Sequence, residues 1–133
     1  KEMLITLLKT KSASVTGSRM KNRKKALKGG MPYYKFIGNI FLTKLFNVLY
    51  GTSFTDCHTG YWFYNLKKIK KPWLKKFDNG FLFDLDMRLK LAKENCKIKE
   101  IPITTRYGTE RSSFHVSYAL RFFLNTITGK FKK

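Results

Sequence analysis

An α/β fold is the architecture this sequence predicts, and three observations carry the prediction. Helical-period apolar patterns alternate with short β-branched or aromatic runs in the order α-β-α-β-α-β-α. Hydrophobic residues make up 43% of the 133 residues and aromatics 16%, enough apolar surface to build a core and exclude a disordered tail. About three strands are evident, fewer than a complete α/β sheet carries, which predicts one partial domain over residues 1–133.

The elements follow in order. Met3, Leu4, Leu7 and Leu8 recur at helical spacing, so Lys1 to Thr10 reads as a helix whose start carries no visible cap. Ser12 to Ser18 reads as a strand ending at Gly17. Arg19 to Gly30 carries six basic residues and closes on Gly29-Gly30, which predicts a mobile basic loop. Pro32 suits a helix first turn, and Gly51 ends the helix that follows. In that helix Tyr33, Ile37, Ile40, Phe41, Leu45, Val48 and Leu49 form one apolar face running to Tyr50, and Lys35, Asn39, Thr43 and Asn47 form a polar stripe along another. Thr52 to Thr59 is a polar turn, and Gly60 to Asn65 an aromatic strand. Leu66 to Lys76 is a basic stretch broken by Pro72, and Asp78-Asn79-Gly80 a turn. Leu82, Leu85, Leu89, Ala92 and Cys96 line one face of a helix. Lys97 to Tyr107 reads as a long strand in which Pro102 marks an edge or bend. Gly108 to Ser113 is a loop, Val116 to Ile127 a last helix, and residues 129–133 a frayed basic end.

The charge balance is 28 Lys+Arg, only six of them Arg, against 8 Asp+Glu, a net +20. This predicts attraction to polyanions: nucleic acid, anionic lipid or phosphorylated small molecules. Two cysteines, Cys57 and Cys96, exclude a disulfide scaffold and lack zinc-site clustering. No apolar run reaches the roughly 18 residues of a membrane span, and Met3 to Leu8 is too short for a secretory signal.

Three constellations carry chemistry. Gly17-Ser18-Arg19 ends a strand, where open α/β sheets bind ligands, and Arg19 can grip a phosphate with its planar fork. Read alone it is also a strand-end turn with a solvated Arg. Asp56-Cys57-His58-Thr59-Gly60-Tyr61 sets a carboxylate and an imidazole two residues apart, suited to acid–base work or to hydrogen bonding a sugar. It is also ordinary turn chemistry, in which a surface Asp contributes under about 1 kcal/mol to folding. Arg106 to Ser113 offers two guanidiniums and two serine hydroxyls in a loop, an anion clamp or a solvated connection. Asp84-Leu85-Asp86 spells a metal-binding Asp-x-Asp but opens an amphipathic helix, where acids complement the helix dipole. His115 reads as a surface or packing residue.

Taken together and in order, these pieces resemble family 2 glycosyltransferases of the dolichyl/polyprenyl-phosphate sugar transferase type. The resemblance lies in Gly30-Met31-Pro32-Tyr33-Tyr34-Lys35-Phe36-Ile37-Gly38-Asn39, Asn47, Gly51 and Thr52 through Tyr61. It continues in Asn79-Gly80-Phe81 with Phe83 and Asp86, and in Glu100-Ile101-Pro102-Ile103 with Arg106, Tyr107, Gly108 and Ser112-Ser113. It spans about Met3 to Ile127 and implies an incomplete GT-A (nucleotide-diphospho-sugar transferase) fold, a mixed sheet flanked by helices. The implied activity is hexosyl transfer, with inversion, from a nucleotide-sugar donor to a polyprenyl-phosphate, related lipid-phosphate or glycan acceptor.

Asp56 matches the acidic residue of the acceptor-side turn and is the expected catalytic residue: general base toward a hydroxyl acceptor, orienting group toward a phosphate. Arg19, Lys35, His58, Arg106 and Ser112 are the expected substrate-binding residues. Trp62 stands where many relatives continue with Arg, so that Arg's role is lost or supplied elsewhere. Arg111-Ser112-Ser113 departs from the commoner Gly-x-Ser-Lys. The nucleotide-binding half and its Mg²⁺- or Mn²⁺-binding Asp-x-Asp are expected upstream of Lys1, so no metal ligand is expected in this chain and the chain alone is expected to be catalytically incomplete. Peripheral attachment at the cytoplasmic face of a membrane is expected, through the basic 19–30 stretch and the helix after Pro32. The competing readings are a non-catalytic remnant of the fold and a nucleic-acid-binding module. Against the latter, the aromatics cluster at Gly60 to Tyr64 and on core faces, not interleaved with Lys.

Overall fold

The computed structural model describes residues 1–75, 77, 80, 82–108 and 116–131. Three strands form a mixed sheet in the order β2-β1-β3. Strand β1 (Ser14–Ser18) lies in the centre. Strand β2 (Trp62–Tyr64) pairs with it antiparallel, Val15 facing Phe63, and β3 (Ile98–Pro102) pairs parallel, Thr16 facing Glu100.

Helix α1 (Glu2–Thr10) covers one sheet face, with Met3 and Leu7 packed on Val15. Helices α3 (Tyr33–Tyr50), α5 (Phe83–Lys93) and α6 (Val116–Phe131) build the main core from Leu42, Phe46, Leu85, Leu89, Ala92 and Phe122, with Phe54 and Cys57 from the turn after α3. The spacing Leu85-Leu89-Ala92 locates this face, but α5 is buried on a second side too, where Met87 and Leu91 pack with Ala13 and Ile69. Both thiols are free.

Four expectations change. The 19–30 stretch folds as a 3-10 turn (Met20–Asn22) and helix α2 (Arg23–Lys28), capped by the Asn22 side chain accepting from the Lys25 amide. Met20, Ala26 and Met31 pull it onto Phe36, Ile40 and Tyr107, an apolar anchor that the surrounding lysines obscure in the sequence. The 97–107 strand stops at Pro102, which pairs with Ser18 where β1 itself ends; the Ile103 amide makes one further bond to the Ser18 carbonyl. The basic 66–76 stretch contains a short helix, α4 (Lys71–Leu74), opened by Pro72.

The fourth is α3. Its expected polar stripe faces inward: Asn39 and Thr43 are buried, while Tyr33, Ile37, Phe41 and Val48 are exposed. Leu42 and Phe46, one position off the expected face, make the core contact. The inversion arises because the 52–57 turn needs polar partners. Asn47 donates to the Phe54 carbonyl (2.8 Å) and accepts from the Phe54 amide (2.9 Å) and the Thr52 hydroxyl (2.8 Å). Thr43 accepts from the Cys57 amide at 3.0 Å. Satisfying these buried groups outweighs exposing several apolar side chains, since a buried polar group without a partner costs about 1–3 kcal/mol. Gly51 ends α3 with φ +63°.

Candidate functional site

The carboxyl end of β1 delivers Ser18 and Arg19 to one side of the sheet, and α3 presents the 52–58 turn beside them. Ser18 and Thr55 hydroxyls meet at 2.6 Å. Glu100, at the parallel position on β3, accepts from the Thr55 amide (3.0 Å) and hydroxyl (2.8 Å). This carboxylate fixes the turn that carries Asp56.

Asp56 is fully buried, which corrects the exposed-turn expectation. Its Oδ2 accepts from Arg19 Nε (2.7 Å) and the Arg19 amide (3.2 Å). Its Oδ1 accepts from Arg19 Nη2 (2.9 Å), Asn39 Nδ2 (2.7 Å) and the His58 amide (3.0 Å). Burial pushes the carboxyl pKa up, but the Arg19 hydrogen bonds and charge, helped by Asn39, hold it below the ordinary value. Asp56 is therefore ionised, and its lone pairs are committed. Arg19 shows the mirror relation: burial opposes its charge, Asp56 favours it, and the net is a raised pKa. Its Nη1 donates to the Tyr107 hydroxyl at 3.2 Å. Of five guanidinium N–H groups, two remain for another acceptor among the described residues.

The remaining expected site residues distribute as follows. Lys35 lies one turn before Asn39 on α3, its ammonium 6.0 Å from the Tyr34 ring centroid. His58 sits on the far side of the turn, its ring 4.3 Å from Phe122. Arg106 is exposed after β3, and the neighbouring Tyr107 reaches Arg19. Ser112 and its loop lie outside the described residues, as does His115. Asn39, Thr43, Glu100 and Tyr107 were not foreseen as site residues. The signal available for Asn39, Thr43 and Asn47 is their helical spacing, which marks a polar stripe without saying what it faces.

Asp84 and Asp86 do not converge. Asp84 lines a cavity with Arg88 and His58, whereas Asp86 lines a groove with Lys90 and Lys93. Among the described residues no group of three His, Cys, Asp or Glu side chains is placed to hold a metal ion, and no helix is long and apolar enough to cross a membrane.

Burial, with Arg88 nearby, pushes the His58 pKa down to about 4. The folded protein then binds this proton more weakly than the unfolded chain, whose histidine titrates near 6.5. Stability therefore rises with pH between about 4 and 6.5 and falls on acidification. We expect a loss of about 3 kcal/mol between pH 7 and pH 4 from this group. Urea midpoints measured at intervals across that range test it, and His58→Asn should flatten the slope between pH 5 and 6.5. An unchanged slope in the variant removes His58 as its cause.

The chain is similar to the low-salt glycan biosynthesis hexosyltransferase Agl6 of Haloferax volcanii, at 30% identity over 106 residues, 76% of this chain and 24% of that protein. The chain thus spans about a quarter of the length of the curated relative it matches. No family model matches the chain, and no solved structure matches it. The similarity supports a glycosyltransferase relationship, and the mixed α/β sheet flanked by helices is consistent with part of such a fold.

Proposed function

We propose that this chain is the acceptor-side half of an inverting, GT-A type, family 2 glycosyltransferase domain that passes a hexose from a nucleotide-sugar donor to a polyprenyl phosphate. The observation that carries the reading is the Arg19–Asp56–Asn39 cluster at the carboxyl end of β1, in a chain similar to a hexosyltransferase over 76% of its length. A fixed guanidinium with two N–H groups to spare at a strand end is suited to gripping an anionic oxygen.

The state of Asp56 supports a phosphate acceptor over a hydroxyl. A hydroxyl nucleophile needs a base with a vacant lone pair, and Asp56 has none vacant. A phosphate monoester, with second pKa about 6, is already largely ionised near neutral pH. Its oxygen attacks the anomeric carbon as the bond to the nucleoside diphosphate breaks. In this reading Asp56 is a positioning residue that holds Arg19. Arg19, Lys35 and Arg106 hold anionic oxygens in line, and His58 and Ser112 bond the sugar or acceptor. Mg²⁺ or Mn²⁺ on an Asp-x-Asp outside this chain would neutralise the departing diphosphate. Transfer of labelled hexose by the intact protein, with short-chain polyprenyl phosphate and polyprenol offered in parallel, tests the proposal. Metal-dependent labelling of the phosphate is expected; labelling of polyprenol alone, or of neither, overturns it.

The exposed stripe of α3 supports seating at a membrane surface of anionic lipid. Tyr34, Ile37, Phe41 and Val48 are all exposed, with Lys44 among them, and the helix contains no acid. Ile37→Glu/Phe41→Glu should weaken binding to phosphatidylcholine–phosphatidylglycerol vesicles by about tenfold or more, since each exposed side chain contributes up to about 1.5–3 kcal/mol when buried. Melting should shift little, because both residues are 60% exposed or more. Co-sedimentation with vesicles is the measurement, and equal binding by the variant places the contact elsewhere.

A further inference from the structure

We propose that the cavity between the 57–60 turn, the start of α5 and α6 binds the oxyanion of a charged sugar, a phosphate or carboxylate borne on a hexose, with Arg88 as its anchor. The cavity encloses about 350 Å³, room for a hexose at the small end of ligand sites. Leu82, Leu85 and Phe122 supply apolar walls, and Thr59, Asp84 and Arg88 the polar ones.

Arg88 is the anomaly of this part of the molecule. It is 2% exposed. Its guanidinium carbon lies 4.9 Å from the centroid of the Trp62 ring. Its Nε is buried with no hydrogen-bond partner. Among the described residues, the ion pairs within 4.0 Å are Arg19–Asp56 and Lys90–Glu94, and Arg88 takes part in neither. Asp56, the fully buried carboxylate of the same turn, is committed to Arg19.

A guanidinium cannot shed its charge to escape burial. The Trp62 face attracts the cation but leaves its in-plane N–H groups unserved. Arg88 lines the cavity, so an oxyanion that enters it comes within reach of a guanidinium, the group that pairs with oxyanions through its N–H fork. Thr59 and Asp84 then stand on the same walls for sugar hydroxyls. The hexose body rests on the glycosyl-transfer reading; the oxyanion rests on Arg88 alone.

Calorimetric titration of the intact protein with glucose 1-phosphate, glucuronate and neutral methyl glucoside tests this. Saturable binding of the phosphate or the carboxylate probe is expected, identifying which oxyanion the cavity takes. Arg88→Met should weaken it about tenfold or more, and methyl glucoside should not respond to the substitution. Arg88→Lys keeps charge and bulk but not the fork, so it should also bind the charged probe more weakly while melting near wild type. It serves as the test if the methionine variant does not fold. Failure of both charged probes to bind, or binding that falls with Arg19→Lys but not with Arg88→Lys, overturns the inference. Persistent sugar transfer with no Arg88-dependent binding removes this inference and leaves the proposed function standing. Arg88-dependent binding in a protein without transfer activity does the reverse.

Discussion

Asp56→Asn is expected to cost both folding and turnover. The amide keeps the carboxylate's shape but turns one acceptor oxygen into a donor facing Arg19 or Asn39, and removes the charge opposite Arg19. Arg19 Nε lies 2.7 Å from Asp56 Oδ2, and the Arg19 side chain is only 19% exposed, so no solvent replaces the lost partner. Breaking one side of a buried pair costs about 3–5 kcal/mol, far above the scale expected for a surface-turn Asp. For a chain of this length the melting temperature should fall by roughly 10–20 °C. Below that melting point, kcat of the intact protein should fall roughly a hundredfold or more, because the Arg19 fork loses its orientation. Thermal melts and steady-state kinetics on the same preparation separate the two effects. Wild-type melting with low kcat makes Asp56 a group acting on substrate directly. Low melting with kcat preserved at a permissive temperature leaves it structural.

Gly29→Ala carries the second large effect, against the direction local propensity suggests. Gly29 ends α2 with φ −73°, a conformation that alanine adopts freely. Local backbone preference therefore favours neutrality or a small gain. In the fold, however, a Cβ there meets the Thr105 carbonyl oxygen at 2.2 Å and the Lys25 carbonyl oxygen at 3.2 Å. Neither is a flexible side chain that can swing aside. The 103–107 segment is tied down at both ends, by the Ile103 amide on the Ser18 carbonyl (3.0 Å) and the Tyr107 amide on the Gly29 carbonyl (2.7 Å). Relieving the clash breaks the second bond and draws Tyr107 off Arg19. We expect a loss of roughly 2–4 kcal/mol, and a fall in kcat of up to about a hundredfold from misplacement of the site. Gly38→Ala is the internal control: it lies within α3, its Cβ meets nothing within 4 Å, and it should gain up to about 1 kcal/mol. Equal melting of the two variants would show that the approach of Thr105 to Gly29 is not tight in solution.

The sequence by itself determined the order of the longer elements, α1, β1, α3, β2, α5, β3 and α6, but not the short helices α2 and α4. Period and punctuation suffice for that: the Leu85-Leu89-Ala92 spacing, Pro32 before a helix and Gly51 after it, the aromatic run at 61–64. It also brought Arg19 and the Asp56 turn to notice as candidate site residues, because a strand end and a polar turn are local features. Tertiary structure alone decided what those residues face. Asn39, Thr43 and Asn47 look like an ordinary polar stripe until a turn with unsatisfied backbone groups docks against them. Asp56 looks like an exposed carboxylate until Arg19 closes over it from 37 residues away. Arg88 sits inside an ordinary helical pattern, and only the packing of Trp62 and a buried Nε without a hydrogen-bond partner single it out. Gly29 looks like the close of a mobile loop until the Thr105 carbonyl is found against it. In each case the deciding interaction joins one element to another and is polar or steric, whereas periodicity reports only the average preference of one element for water or core.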